Sequence, residues 1–270
     1  MALTDPSAMA RALYDARRDR APIPPFTDSD PSLTMSDGYA IQQELVRLLL
    51  ADGDQVIGHK VGATSEAMQR LIGLDSPDYG PVLGSTLHHD GDTLALDRFI
   101  APKIEAEIGF VLGDRLRGPG VTVDDARSAI AGAVAAMEIV DSRIADWRIR
   151  LADTVADLAS NGAVALSCQV VPLAGIDPRD IAMTLSRDGE VIDSGKGAAA
   201  LGDPVAVLAW LANTLGEAGV CLEPGHLILT GALHAAVPLA PGDTFRADFG
   251  PLGAVTLHVA DIDRTAEDRR

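Results

Sequence analysis

Glu105, Glu107 and Glu138 each stand inside an otherwise apolar run, and any fold of this chain must find a place for those charges. The first two lie in Lys103-Ile104-Glu105-Ala106-Glu107-Ile108-Gly109-Phe110-Val111-Leu112. Period-two alternation predicts a strand with Ile104, Ala106, Ile108, Phe110 and Leu112 on one face and both glutamates on the other. Carboxylates two residues apart on one strand face have Cα atoms about 7 Å apart, so both can turn toward a single hard cation. Glu138 lies in Ala133-Val134-Ala135-Ala136-Met137-Glu138-Ile139-Val140, where a lone carboxylate is costly to bury. One shared divalent metal accounts for all three. A solvated edge strand plus an exposed helix residue accounts for them too, and spacing alone favours that simpler reading.

The 270 residues suffice for one large domain, or one domain with a small cap. A net charge of −17 argues against nucleic acid or an anionic membrane as partner, since either needs a basic patch. Gly, Pro and charges interrupt every apolar run, so no membrane span is expected. The start, Met1-Ala2-Leu3-Thr4-Asp5-Pro6, lacks the basic-then-apolar order of a secretory signal. A cytoplasmic protein is the expectation. Cys168 and Cys221 are isolated in apolar segments without CxxC spacing, and read as buried core cysteines of a reducing compartment. The acidic balance also means that an anionic substrate needs local positive charge. A divalent cation on three carboxylates leaves one formal negative charge, which a single lysine cancels.

Residues 7–18 predict a first helix, a Pro-rich connection follows at Ala21-Pro22-Ile23-Pro24-Pro25, and a second helix runs from near Ser36 to about Gly53. Residues 1–54 thus form an N-terminal helical cap and 55–270 a catalytic domain, within one structural unit. From Gln55 onward the pattern is one of short strands, at 55–61, 81–87, 104–112, 133–140, 163–171, 182–187, 190–194, 227–230, 244–248 and 254–259. Asp188-Gly189 reads as a tight hairpin turn. Asp203 as N-cap and Pro204 at the first helical position open a helix carrying Val205, Leu208, Leu211 and Leu215. Many strands, few helices and no βα alternation predict an α+β fold with a mixed, roll-like or barrel-like β core. The charged tail from Asp261 is expected to fray.

In Gly58-His59-Lys60-Val61-Gly62, flanking glycines allow close approach of backbone and ligand around Lys60, while His59 points to the opposite face. Asp78-Tyr79-Gly80 and Ser160-Asn161-Gly162 read first as a turn and a loop. Lys196 lacks Walker spacing, and no GxGxxG or GxSxG motif is convincing. The chemistry left is metal-assisted and acid–base, with Lys60 as the best charged partner.

These pieces in this order resemble the fumarylacetoacetate hydrolase superfamily, and within it the 2-hydroxypenta-2,4-dienoate (2-keto-4-pentenoate) hydratase branch. The resemblance runs from Tyr39-Ala40-Ile41-Gln42 through Gly58–Gly62, Asp78-Tyr79-Gly80, the Glu105/Glu107 pair, Glu138 and Asp141-Ser142-Arg143-Ile144-Ala145-Asp146-Trp147. It continues through Asp153-Thr154-Val155-Ala156-Asp157 and Leu229-Thr230-Gly231-Ala232-Leu233 to Pro241-Gly242-Asp243. It implies a β-roll, usually homo-oligomeric, with Glu105, Glu107 and Glu138 holding Mg²⁺ or Mn²⁺. It also implies proton transfer by Lys60 and Asp78, and substrate binding at Ser160 and Thr230. The implied activity is that of a hydro-lyase that adds water to a 2-hydroxy-2,4-dienoate, giving a 4-hydroxy-2-oxoalkanoate in aromatic or steroid ring catabolism. Leu158, where the family often has Asn, and His234, where it often has a small residue, depart from the pattern.

The alternatives are a 4-oxalocrotonate-type decarboxylase, an acylpyruvate-type C–C hydrolase and a non-catalytic subunit that binds a pathway aldolase or decarboxylase. Decarboxylation would need a cation at the far end of the pocket for a second carboxylate. Leu158 and Ala232-Leu233-His234-Ala235-Ala236 suggest instead an apolar far end without Arg or Lys, and hence hydration of a short dienoate.

Overall fold

The computed structural model describes residues 5–64 and 76–261; Ser65 and the tail from 262 onward lie outside the described residues. Helix α1 spans Pro6–Asp19, with Asp5 accepting from Ser7 N at its start. A single turn, α2, covers Phe26–Ser29, and α3 covers Met35–Ala51 behind a capping box of Thr34 and Asp37. Met9 and Leu13 of α1 and Ile41 and Leu45 of α3 bury against Leu83, Ile144, Ala156 and Leu158. The N-terminal helices therefore back the stretch that borders the site described below.

The strands are β1 (Val56–Gly62), β2 (Asp78–Leu83), β3 (Leu87–His89), β4 (Thr93–Leu94), β5 (Lys103–Leu112), β6 (Ile130–Val140), β7 (Asn161–Leu166), β8 (Ala182–Arg187), β9 (Glu190–Lys196), β10 (Leu227–Ala232), β11 (Val237–Pro238), β12 (Thr244–Asp248) and β13 (Ala254–Val259). Between them lie α4 (Val123–Ala129), α5 (Leu151–Ala156) and α6 (Pro204–Glu217). One sheet runs β2-β1-β10-β5-β6-β7-β3, with β11 also on β5; the other runs β4-β13-β12-β8-β9. Both are open. Ile104, Ile108 and Phe110 of the first sheet meet Phe245, Ala247, Val255 and Leu257 of the second in one core. The fold is thus the expected α+β roll, not a closed barrel.

Three local expectations need correction. The run 81–87 breaks at a 3₁₀ turn, Gly84–Thr86, and the run 163–171 leaves the ladder after Leu166. An apolar run marks burial, not the end of pairing, and β7 has neighbours on both sides only through Leu166. Cys168 consequently lies in a loop and is exposed, while Cys221, just past the C-terminal turn of α6, is half-buried; neither is a core cysteine. The stretch Gly197–Glu217 does reach the length and apolar character of a membrane span. Val205, Leu208, Leu211 and Leu215 of α6, however, sit in the main core.

Candidate metal centre and active site

Antiparallel pairing of β5 with β6 sets Glu105 directly opposite Glu138, and Glu107 opposite Ala136. The even-numbered residues of β5 enter the inter-sheet core, so both of its glutamates face the other way. One carboxylate oxygen from each of Glu105, Glu107 and Glu138 lies within 4.8 Å of the others. Asn161 Nδ2 donates to Glu138 Oε1 at 2.8 Å, and Gly231 N donates to Glu107 Oε2 at 2.8 Å. Gly231 has φ 101°, and a Cβ there would meet Thr64 Oγ1 at 2.0 Å, so this donor position requires glycine. Glu138 Oε2 is buried and meets no hydrogen-bond partner among the described residues.

Lys60, on β1, is buried; its Nζ donates to Ala159 O at 2.8 Å and lies 3.6 Å from Glu138 Oε2. Asp78, the first residue of β2, pairs across from Gly62. A Cβ on Gly62 would come within 2.2 Å of Asp78 Oδ1 and 3.2 Å of Lys60 Nζ, so that glycine makes the room both side chains use. Asp78 Oδ1 is buried and also lacks a hydrogen-bond partner among the described residues. His59 points away from Lys60, with Tyr79 and His226 rings 6.4 and 6.2 Å off. Burial first, and His226 second, push its imidazole down to about 3, so it is neutral.

The acceptor of Lys60 belongs to an unusual turn. Leu158, Ala159 and Ser160 have φ of 57°, 51° and 58°, three consecutive left-handed residues without a glycine. Such backbone costs about 1–3 kcal/mol per residue and persists only where its surroundings over-determine it. Here the buried Arg143–Asp157 ion pair anchors the preceding residue, and Asp141 N donates to Ser160 O at 2.9 Å. Gly80 lets β2 press against the turn: a Cβ there would sit 2.1 Å from Leu158 O. Ser160 Oγ lies 3.2 Å from Thr154 Oγ1, beside the cavity.

Lys60, Asp78, Glu105, Glu107 and Ser160 line one cavity of about 410 Å³, with Glu138 buried behind it. Two placements differ from expectation. Thr230 does not line the cavity; it is fully buried on the face of β10 shared with Ile228, and donates to Ile108 O at 2.9 Å. Leu158 packs against the N-terminal helices, and the cavity is not free of Arg and Lys, because Lys103 and Arg150 both border it. Lys103 shares the strand face of Glu105 by the same period of two, and its Nζ lies 4.1 Å over the Trp147 ring. Charge at the pocket wall therefore does not separate hydration from decarboxylation.

The electrostatics favour a cation at the three glutamates. Burial first, and then Glu138, push Glu105 up to about 7. The same two causes, followed by Glu105, hold Glu107 well above the usual carboxylate range. Asp78 is raised by burial, against the pull of Lys60. For Lys60, burial opposes the ammonium, but Glu138, Asp78, Glu105 and Glu107 outweigh it and hold its pKa above the ordinary lysine value. Four crowded carboxylates face one buried ammonium here, and Glu138 Oε2 accepts no hydrogen bond among the described residues. An all-oxygen donor set of this kind fits a hard divalent ion.

Sequence reasoning missed Asn161, the Ala159 carbonyl, Lys103 and Arg150. Lys103 was within reach, since it shares the alternation that singled out Glu105. Asn161 and Ala159 depend on which strand lies beside which, and no local pattern carries that.

The profile of the fumarylacetoacetate (FAA) hydrolase C-terminal family matches residues 63–260. The chain is 41% identical over 246 residues to a 2-keto-4-pentenoate hydratase of Paraburkholderia xenovorans (strain LB400), covering 91% of each. It is 40% identical over 247 residues to a 2-hydroxyhexa-2,4-dienoate hydratase of Comamonas testosteroni, covering 91% of this chain and 94% of the relative. Among solved structures, a 4-oxalocrotonate decarboxylase from Pseudomonas putida G7, complexed with magnesium and adipate, superposes with a TM-score of 0.91 at 34% identity. That match covers 94% of this chain and 97% of the other.

Proposed function

The chain belongs to the fumarylacetoacetate hydrolase family, and from that premise we propose that it is a divalent-metal-dependent hydratase of 2-hydroxy-2,4-dienoates. It is a hydro-lyase whose product is a 4-hydroxy-2-oxoalkanoate, as in the breakdown of aromatic rings. The observation that carries the reading is the gathering of Glu105, Glu107 and Glu138 with Lys60 and Asp78 around one cavity, in a chain about 40% identical to named hydratases.

Glu105, Glu107 and Glu138 would hold Mg²⁺ or Mn²⁺, with Asn161 and the Gly231 amide fixing one oxygen each of Glu138 and Glu107. When bound, the ion supplies Lewis acidity toward the carboxylate and 2-oxygen of the substrate. The remaining work falls to side chains. Ser160, which lines the cavity, is the donor to the substrate carboxylate in this reading. Lys60, kept protonated by its carboxylate neighbours, is the proton donor to C5 as the enol proton leaves, which yields the 2-oxo-3-enoate. Water then adds with its oxygen on C4 and a proton on C3. Asp78 takes the proton from that water through Oδ1 and passes it to C3, while the proton released from the 2-hydroxyl restores Lys60, so both groups end the cycle as they began it. Trp147, Ile149 and Leu151 provide apolar wall beside the reacting chain. We extend the reading to a cytoplasmic homo-oligomer that associates with a pathway aldolase or decarboxylase.

The test is to follow dienoate absorbance and carbon dioxide release side by side on 2-hydroxypenta-2,4-dienoate, its hexadienoate homologue and 4-oxalocrotonate. Metal-dependent loss of dienoate absorbance, abolished by a chelator, is the expected result. A higher kcat/KM for carbon dioxide release from 4-oxalocrotonate than for either hydration would replace hydratase by decarboxylase.

A further inference from the structure

Ala106, the residue between Glu105 and Glu107, has both of its backbone groups held by consecutive residues of one loop. Leu233 N donates to Ala106 O at 3.0 Å, and Ala106 N donates to His234 Nε2 at 2.7 Å. The reason lies in the course of β10. Its ladder with β5 runs regularly to Leu229↔Gly109, shifts, and resumes at Ala232↔Glu107 before β11 takes over with Val237↔Ile104. This departure frees the Gly231 amide to donate to Glu107 Oε2, but it leaves Ala106 N without a strand carbonyl. A buried N–H left unmet costs about 1–3 kcal/mol. The imidazole of His234 supplies the missing acceptor.

The rest of the ring is committed as well. His234 Nδ1 lies 2.6 Å from Ala235 O, so the ring proton belongs on Nδ1 and Nε2 is the acceptor. Asp193 Oδ2, on β9 of the second sheet, is 3.8 Å from Nδ1 and favours the same tautomer. The side chain is 0% exposed although the segment borders the cavity. Gly195 lets β9 press on the loop, since a Cβ there would lie 2.1 Å from Leu233 O. With both nitrogens engaged by backbone, His234 has no free nitrogen with which to exchange a proton with substrate.

The geometry points to His234 as a positioning residue of the metal centre: it fixes the backbone between Glu105 and Glu107 and ties that strand, through its loop, to the second sheet. The inference rests on Glu105, Glu107 and Glu138 being the ligand set. Bonds to a hard cation are only about 2.0–2.6 Å long, so a small shift of the strand between two ligands weakens both.

Manganese affinity, measured by calorimetric titration on the full chain, tests this with His234→Gln and His234→Asn. The Gln oxygen stands as many bonds from Cα as His Nε2 and can accept from Ala106 N. The Asn oxygen is one bond shorter and reaches only the position of Nδ1. Asn is expected to weaken Mn²⁺ binding about tenfold, as loss of outer contacts to metal ligands does, while Gln stays within about threefold of the parent. With Mn²⁺ raised well above the weakened Kd, the Asn variant should regain most of its kcat. Unchanged affinity in the Asn variant, or equal losses in both, overturns the inference; if the Asn variant does not fold, a tenfold loss in Gln alone overturns it. A parent chain that binds no Mn²⁺ overturns the ligand set itself, a separate outcome.

Discussion

Lys60 is the residue on which the chemistry turns. Its ammonium is held by a backbone carbonyl on one side and by Glu138 on the other, so its position does not depend on substrate. Replacing it with Met keeps most of the apolar stem and removes the transferable proton. Turnover of the dienoate should fall by roughly 10²-fold or more, the usual scale of lost acid–base catalysis, while the chain still folds and binds Mn²⁺. Steady-state kinetics beside a calorimetric metal titration would check it; near-normal turnover would remove Lys60 from the mechanism. Lys60 could be singled out from its two flanking glycines, and their roles are now specific. Gly62 leaves room for Asp78 and Lys60, and Gly58 lets β10 run close, since a Cβ there would meet Leu227 O at 1.8 Å. Thr230 could not be placed in the same way. Its facing depends on the β10 alternation continuing from Leu227 through Ile228 and Leu229, which puts its hydroxyl into the core beneath Ile108.

At the scale of elements, strand alternation placed Glu105 and Glu107 on one face, but only the β5–β6 register brings Glu138 opposite Glu105. A one-residue slip in that pairing would turn Glu138 into the inter-sheet core. The left-handed turn at 158–160 is the other element that local pattern did not disclose. None of its residues has a strong preference for that conformation, and it stands because β2, Arg143 and Asp157 hold it. Gly80→Ala is therefore expected to overpack against a backbone that cannot yield, at a cost of about 1–3 kcal/mol. At roughly 2–4 °C per kcal/mol for a chain of this size, the melting temperature should drop by several degrees. Turnover should fall with it, because Ala159 O and Ser160 move together, while the glutamates on β5 and β6 keep their Mn²⁺ affinity. A melting temperature equal to that of the parent would show that the turn has slack the structure does not suggest.

For the molecule as a whole, the glutamate cluster is a concentration of negative charge inside a chain already at −17. A divalent ion that binds only the folded state should add about 2.7 kcal/mol at a hundred times its Kd. Stripping the protein with a chelator should then lower its melting temperature by several degrees, and Mn²⁺ should restore it in a concentration-dependent way. A midpoint indifferent to chelator would count against a site at these residues. By itself the sequence determined the strands and helices of strong periodicity, the capped start of the helix at Pro204, the hairpin at Asp188-Gly189, and the single face shared by two glutamates. These depend on neighbours within a few residues, where chain geometry leaves few choices. Tertiary structure alone decided the rest: that β6 lies beside β5, that Asn161 reaches Glu138, that His234 accepts from Ala106, and that Lys103 and Arg150 border the cavity. Those relations join residues tens to more than a hundred positions apart. Their partners are selected by burial and by the need to satisfy every buried polar group at once, conditions that exist only after the two sheets have closed on each other.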